Sequence, residues 1–252
     1  METKNKEGLY IYCLITSGES KTFGSLGIGA RGDQLYTIGA DGIAAVVSNT
    51  PIVEYPTSRA NLIAHERAIE EVMKEYTVLP VRFGTIAEDE KQVRRILETQ
   101  VPKFREMVEK LEGKKEVGIK AIFKKEVIYD YVLDKYEEIR KLKERINGLP
   151  AQKSHYQRIE IGRMVEKALE TEKEQNEKQI FDSLSPLTIE AKSNKLFGAL
   201  MVINTAFLIA KSREEEFDRQ VNELDTRLGE RVSFKYVSQV PPFNFVNLSI
   251  KT

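Results

Sequence analysis

Residues 201–209 read MVINTAFLI, and this run decides how the second half of the chain is read. It is nearly continuous in apolar residues, as a central strand buried on both faces would be. The longest uncharged stretch around it, Leu196 to Ala210, is shorter than the ~20 residues that span a bilayer. On its C-terminal side, Ser212-Arg213-Glu214-Glu215 has the form of a capping box. The helix it opens carries Phe217, Val221, Leu224 and Leu228 on one face and stops at Gly229. Val232, Phe234 and Tyr236 then alternate as a half-buried strand, and so do Leu187, Ile189 and Ala191 before the central run. Val117, Ile119, Ala121 and Phe123 give the earliest strand of the set. The order is strand, helical region, two strands, helix, strand: βαββαβ, a ferredoxin-like arrangement.

The helical region after the first of these strands is oversized. Val132, Tyr136, Ile139, Leu142 and Ile146 mark one helix, ended by Gly148 and Pro150. Ser154-His155-Tyr156-Gln157 reads as a second capping box, opening a helix that reaches Leu184. At 1.5 Å per residue this helix is roughly 40 Å long. The region is expected to form an enlarged helical hairpin, either laid over the sheet with Lys and Glu on its wet face or projecting as an arm for a partner. Packing over the sheet is the favoured alternative, because most amphipathic helices are simply packed.

The first half reads strand, loop, strand, strand, helix, short strand, helix. Leu9 to Ile15 is apolar on both faces. Leu35 to Ile38 and Ile43 to Val47 flank Gly39-Ala40-Asp41-Gly42, a hairpin signal through its Asp-Gly step. Thr57 or Ser58 can cap a helix with an apolar face of Leu62, Ile69, Val72, Met73 and Tyr76. Tyr76 to Leu79 turns β-like, and Pro80 assigns it to a sheet edge or a bulge. The next helix carries Val93, Ile96, Leu97, Phe104, Val108 and Leu111, with Pro102 expected to kink or divide it. Gly113 is its stop. The fold class is therefore α+β in two domains: residues 1–113, then the modified ferredoxin-like domain at 114–240, with 241–252 as a tail that packs back on the protein.

Lys plus Arg and Asp plus Glu number 39 each among 252 residues, so the net charge is zero. Both signs are mixed along the charge-rich segments. That balance gives no pull toward nucleic acid or an anionic membrane, and neither is an expected partner. The lone cysteine, Cys13, sits in the apolar run LYIYCLI and suits a buried position in a reducing cytoplasm. The N-terminus METKNKEG is followed by no signal-peptide stretch.

Tests for chemistry mostly fail. Gly27-Ile28-Gly29-Ala30-Arg31-Gly32 is a literal GxGxxG, but it lies well past the first strand and precedes another strand. A dinucleotide site needs a helix there, so a mobile glycine-rich loop is the expectation. His65-Glu66 begins like HExxH, yet Ile69 stands where the second ligand belongs. No GxSxG elbow is present. No catalytic, cofactor or metal residues are assigned, and no enzyme activity is expected. His65, Glu66 and Arg82 are close enough in sequence to converge. Two readings follow: a small-molecule or carboxylate site around Arg82, and, preferred, a polar cluster in which Arg82 pairs with Glu66 and ties helix to sheet edge.

Two strings carry more. AHERAIEEVMKEYTVLPVRFGT (Ala64–Thr85) and PPFNFV (Pro241–Val246) resemble the GvpF/GvpL family of gas vesicle proteins. So do AAVVS (Ala44–Ser48), YQRIEIGRMV (Tyr156–Val165) and NTAFL (Asn204–Leu208), spread over nearly the whole chain. The family's tail more often carries tyrosine where this chain has Phe243, which removes a hydroxyl. The resemblance implies two α+β domains, the second modified ferredoxin-like. It also implies an accessory or minor structural protein of gas vesicle assembly in the cytoplasm. Its implied partners are the hydrophobic major shell protein and other gas vesicle proteins. A sensor or enzyme with a site around Arg82, and a purely structural shell subunit, are the rival readings. The partner-binding or interdomain residues expected are Arg82, Phe243 and Phe245. Phe243, Phe245 and Val246 are too apolar to stay wet, since burying each is worth roughly 1.5–3 kcal/mol. They are expected to bridge the domains against Val78 to Phe83; the competing reading leaves these aromatics exposed as the shell-protein contact.

Overall fold

Strand β1 (Glu7–Thr16) is buried on both faces from Gly8 to Ile15 and forms the middle of the first sheet. The structure is a computed structural model that describes residues 6–150, 152–246, 248 and 250. Residues 1–5, 151, 247, 249, 251 and 252 lie outside the described residues. Strands β2 (Tyr36–Ala40) and β3 (Ile43–Pro51) form the expected hairpin. Its turn residues Asp41 and Gly42 both take positive φ, 49° and 77°, as the two-residue turn with Asp-Gly requires. A register shift between Ile11 and Cys13 interrupts the β1–β3 pairing. The order β2-β3-β1-β4 places β4 (Leu79–Pro80) at one edge, where Pro80 has no ladder bond to donate, and β5 (Ile86–Ala87) also pairs with β1.

Helix α1 (Arg59–Met73) is capped by Ser58, whose hydroxyl accepts from Asn61 N–H. Its buried stripe is His65, Ala68, Ile69 and Val72. Leu62, expected on that face, is 43% exposed instead, and the histidine takes the core position. Helix α2 (Glu90–Leu111) runs through Pro102 undivided, with Val93, Leu97, Phe104, Val108 and Leu111 buried. Gly113, at φ 70°, follows its C-cap.

Strand β6 (Lys114–Phe123) leads to α3 (Lys125–Lys135), α4 (Glu137–Ile146) and α5 (His155–Leu184). The single helix expected over Val132 to Ile146 is broken at Tyr136, which leaves the helical region of φ/ψ at −103° and 86°. There Tyr136 Oη donates to Glu172 Oε1 on α5 at 2.8 Å and Lys135 Nζ reaches the same oxygen at 2.6 Å. Glu172 is 2% exposed, so these two donors satisfy a buried carboxylate. The Ser154 capping box does not form: the Ser154 hydroxyl donates to Pro150 O and accepts from Arg158 Nε.

Strand β7 (Glu190–Ser193) is shorter than expected, because Ser185–Leu187 is a 3₁₀ turn and Ile189 is exposed. Strand β8 (Met201–Ala210) is buried on both faces along nearly its whole length and lies inside the sheet order β7-β8-β6-β9, with β9 (Val232–Val240) at the other edge. Helix α6 (Glu214–Leu228) buries Phe217, Val221, Leu224 and Leu228 as expected. Its predicted capping box is replaced by a 3₁₀ turn at Lys211–Arg213, and no side chain caps the first turn. Glu214, Glu215 and Glu216 there place negative charge at the helix N-terminus.

The chain divides into two compact units. One holds the residues up to Glu116 together with those from Gln239 onward, and the other holds Val117–Ser238. The first is built around Tyr10, Tyr12, Ile15, Val46, Ile69 and Val72. The second is built around Phe123, Ile180, Phe207, Phe217 and Leu224.

Candidate functional site

Two tyrosines two residues apart on β1, Tyr10 and Tyr12, point to the same face, and their hydroxyls need partners there. Tyr12 Oη accepts from Ile28 N–H at 2.7 Å and bonds Ser48 Oγ at 2.9 Å. Those contacts pin the glycine loop: Ile28 is fully buried, and Gly27 N–H donates to Asp33 O at 2.9 Å. The segment expected to be mobile is thus tied to the core. Past it the chain enters β2.

Tyr10 organises the other end. Gly84 N–H donates to Tyr10 Oη at 2.8 Å, and Tyr10 Oη lies 3.1 Å from His65 Nδ1. His65 Nε2 lies 3.1 Å from Val81 O. A carbonyl only accepts, so Nε2 carries the proton and Nδ1 accepts from the tyrosine. His65 is 3% exposed and is ringed by Tyr10, Tyr12, Phe83 and Phe243 at 5.6–6.0 Å between centroids. Burial pushes its pKa down to about 4, against the opposing bond to Val81. Burial also pushes the Tyr12 phenol up to about 12 and holds Tyr10 higher still. All three groups are neutral at pH 7.

The VRFG string thus has a physical reading. Val81 is held by His65 and by its own N–H to Tyr12 O at 2.9 Å, and Gly84 is held by Tyr10. Arg82 and Phe83 project from between two fixed points. Gly84 takes φ 82°, which a side chain would strain.

The tail belongs to this same unit. Pro241 and Pro242 end β9 and are buried. A turn follows, in which Phe245 N–H and Val246 N–H both donate to Pro242 O, at 3.1 and 3.0 Å. Asn244 donates twice to the Glu116 carboxylate, from its backbone N–H at 3.0 Å and its Nδ2 at 2.6 Å. Glu116 is 4% exposed. Leu248 is buried, Phe245 is half-buried, and Phe243 lies against His65 while remaining 42% exposed.

These pieces enclose a cleft of about 530 Å³, with Leu62, Glu66, Arg82, Phe83, Phe243 and Val246 among its walls. It brings Arg82 and Phe243 together. Phe245 is not in its lining. The predicted Arg82–Glu66 pair does not form: among the described residues neither side chain has an ion-pair or hydrogen-bond partner. Arg82 is exposed on an anchored turn, whereas Glu66 is half-buried on α1. Burial, with Glu70 one turn away, raises the Glu66 pKa. Among the described residues, no group of three or more His, Cys, Asp or Glu is placed to hold a metal.

The family model for gas vesicle synthesis protein GvpL/GvpF matches residues 8–247. The chain belongs to that family. It is 29% identical to gas vesicle protein F of Nostoc sp. over 245 residues, 96% of this chain and 99% of that one. The crystal structure of the gas vesicle protein GvpF from Anabaena sp. matches with a TM-score of 0.80 at 28% identity, covering 97% of this chain and all of that one. The crystal structure of GvpF from Microcystis aeruginosa shares the fold, with a TM-score of 0.75 over 96% of this chain and 99% of that one. Like these GvpL/GvpF relatives, the chain has a gas vesicle role, and its fold is the mixed α+β fold read from the sequence. No helix among the described residues is long and apolar enough to cross a membrane.

Proposed function

We propose that this GvpL/GvpF chain is an accessory protein of gas vesicle assembly in the cytoplasm, one that binds the hydrophobic major shell protein and keeps it assembly-competent. The observation that carries this reading is family membership over residues 8–247. Physical chemistry makes the role reasonable. A shell face that excludes liquid water needs subunits with a large apolar face, and before assembly such subunits expose apolar surface and strand edges that aggregate. A partner with 31% charged residues keeps a complex in solution while it offers the subunit its own sheet edge or an apolar groove. The protein acts by binding and not by catalysis.

The test is co-expression. The shell protein made alone should sediment, and a substantial soluble fraction should appear and co-purify when this chain is present. Equal sedimentation with and without it, together with no co-purification, refutes the proposal.

A further inference from the structure

The cleft of the first unit holds an arrangement that folding does not use. Arg82 and Glu66 are opposite charges in one cleft of about 530 Å³, yet among the described residues they pair neither with each other nor with any other side chain. The same cleft is lined by Leu62 and Phe243, 43% and 42% exposed, with Phe83 and Val246. Wet apolar surface sharing a cleft with one unspent donor and one unspent acceptor is complementary to a particular kind of occupant. A cleft with only the cation would select an acid, and one with only the anion an amine. One of each, in a cleft that also exposes apolar side chains, gives an extended peptide a partner for its C=O, its N–H and its side chain. The volume lies within the range of pockets that bury whole ligands. The walls are also fixed beforehand: Val81 and Gly84 are tied to His65 and Tyr10, and Asn244 is tied to Glu116. Little ordering is left for the moment of binding.

We infer that this cleft takes an extended, uncharged apolar segment of a partner chain. An apolar side chain of the segment sits against Leu62, Phe83 and Phe243. A carbonyl of the segment accepts from Arg82, and one of its N–H groups donates to Glu66. The identity of that partner as the shell protein rests on the assembly reading above; the cleft's preference for peptide does not.

Two measurements on the full chain separate these points. In the first, a capped pentapeptide of alternating alanine and leucine is titrated and NMR signals of Leu62, Glu66, Phe83 and Phe243 are followed, with octanoate as the comparison. The expected result is saturable shifts at all four, at least fivefold weaker binding by Arg82→Ala and by Glu66→Gln, and no tighter binding of octanoate. Absent shifts, unchanged affinity in both variants, or a preference for octanoate overturns the cleft assignment, the last in favour of a small-carboxylate site. In the second, the shell protein is captured by wild type, Arg82→Ala and Leu62→Asp. Capture by wild type with at least tenfold loss in the variants supports both readings. Equal capture by all three refutes the shell protein as the occupant of the cleft and leaves the assembly role standing, and the peptide titration then decides the cleft. No capture by wild type overturns the assembly role, and the peptide titration then decides the cleft alone.

Discussion

Acidification should weaken the first unit through His65, and the size of the effect can be worked out. The ordinary imidazole value of 6.5 falls to about 4 in the folded protein because the ring is buried among aromatics. A depressed folded value means that the neutral form is the one the fold favours. The stabilisation is fully present above 6.5 and is lost as pH falls toward 4. At about 1.36 kcal/mol per pH unit of separation, the loss is roughly 2 kcal/mol between pH 7 and 5 and roughly 3 kcal/mol by pH 4. Protonation also spoils the local bonds, since Nδ1–H would face the hydroxyl that now donates to it. The control is His65→Gln, whose amide offers one donor for Val81 O and one acceptor for Tyr10 Oη without titrating. Native-state hydrogen exchange at the β1 amides, corrected for intrinsic rates, gives the local opening free energy at each pH. Wild type should lose roughly 2 kcal/mol more than His65→Gln between pH 7 and 5. Equal losses in the two proteins would refute the argument, because the remaining carboxylates titrate alike in both.

Other outcomes follow from the same geometry. Truncation after Val240 removes the buried Leu248 and two hydrogen bonds to the buried Glu116 carboxylate, and should lower the first unit's exchange stability by roughly 3–6 kcal/mol. Unchanged protection in β1 and α1 would mean that the tail is not seated there. In the helical region, Lys135→Met should cost about 1–3 kcal/mol in urea unfolding, because the buried Glu172 carboxylate loses its counter-charge. Glu172→Gln keeps an acceptor for Tyr136 and should cost less; the reverse order counts against the buried-carboxylate account. Cys13 is fully buried and its thiol is held far above the ordinary range by burial. It should react with a disulfide reagent only on unfolding, and prompt native labelling contradicts this.

The strand periodicities were legible where one physical effect dominates. MVINTAFLI is a short run rich in β-branched and aromatic residues, which favours a strand buried on both faces over a buried helix, and the Asp-Gly turn needed no tertiary information. Helix ends were less legible. Both capping boxes had the right residue types, but Ser154 found Pro150 O and Arg158, and Ser212 was absorbed into a 3₁₀ turn. A side chain's choice among several nearby partners is decided by backbone angles that the sequence does not state. The break at Tyr136 was hidden for a related reason: the residue that bonds Tyr136 there is Glu172, 36 residues away. Of the residues singled out from their motifs, Arg82 and Phe243 line the same cleft and Phe245 does not. Leu62 was misplaced because helical spacing alone assigns an aliphatic residue, not a histidine, to the core. The missed signal was the Tyr-x-Tyr pair in β1, two buried hydroxyls that demand a polar partner, which His65 and Ser48 supply.

The second unit is inserted between Glu116 and the segment that Glu116 holds. Asn244 follows its anchor by 128 residues. At roughly 5–20 residues per second on a ribosome, that separation corresponds to roughly 6–26 seconds. Throughout this interval the N-terminal part is synthesised but unfinished, with the seat for Asn244 and Leu248 vacant. The half made first is the half completed last. A fragment cut at Glu116 lacks its own closing piece, so it should gain stability from a synthetic 239–250 peptide added in trans, and nascent chains stalled before Pro241 should expose the seat to whatever binds there first.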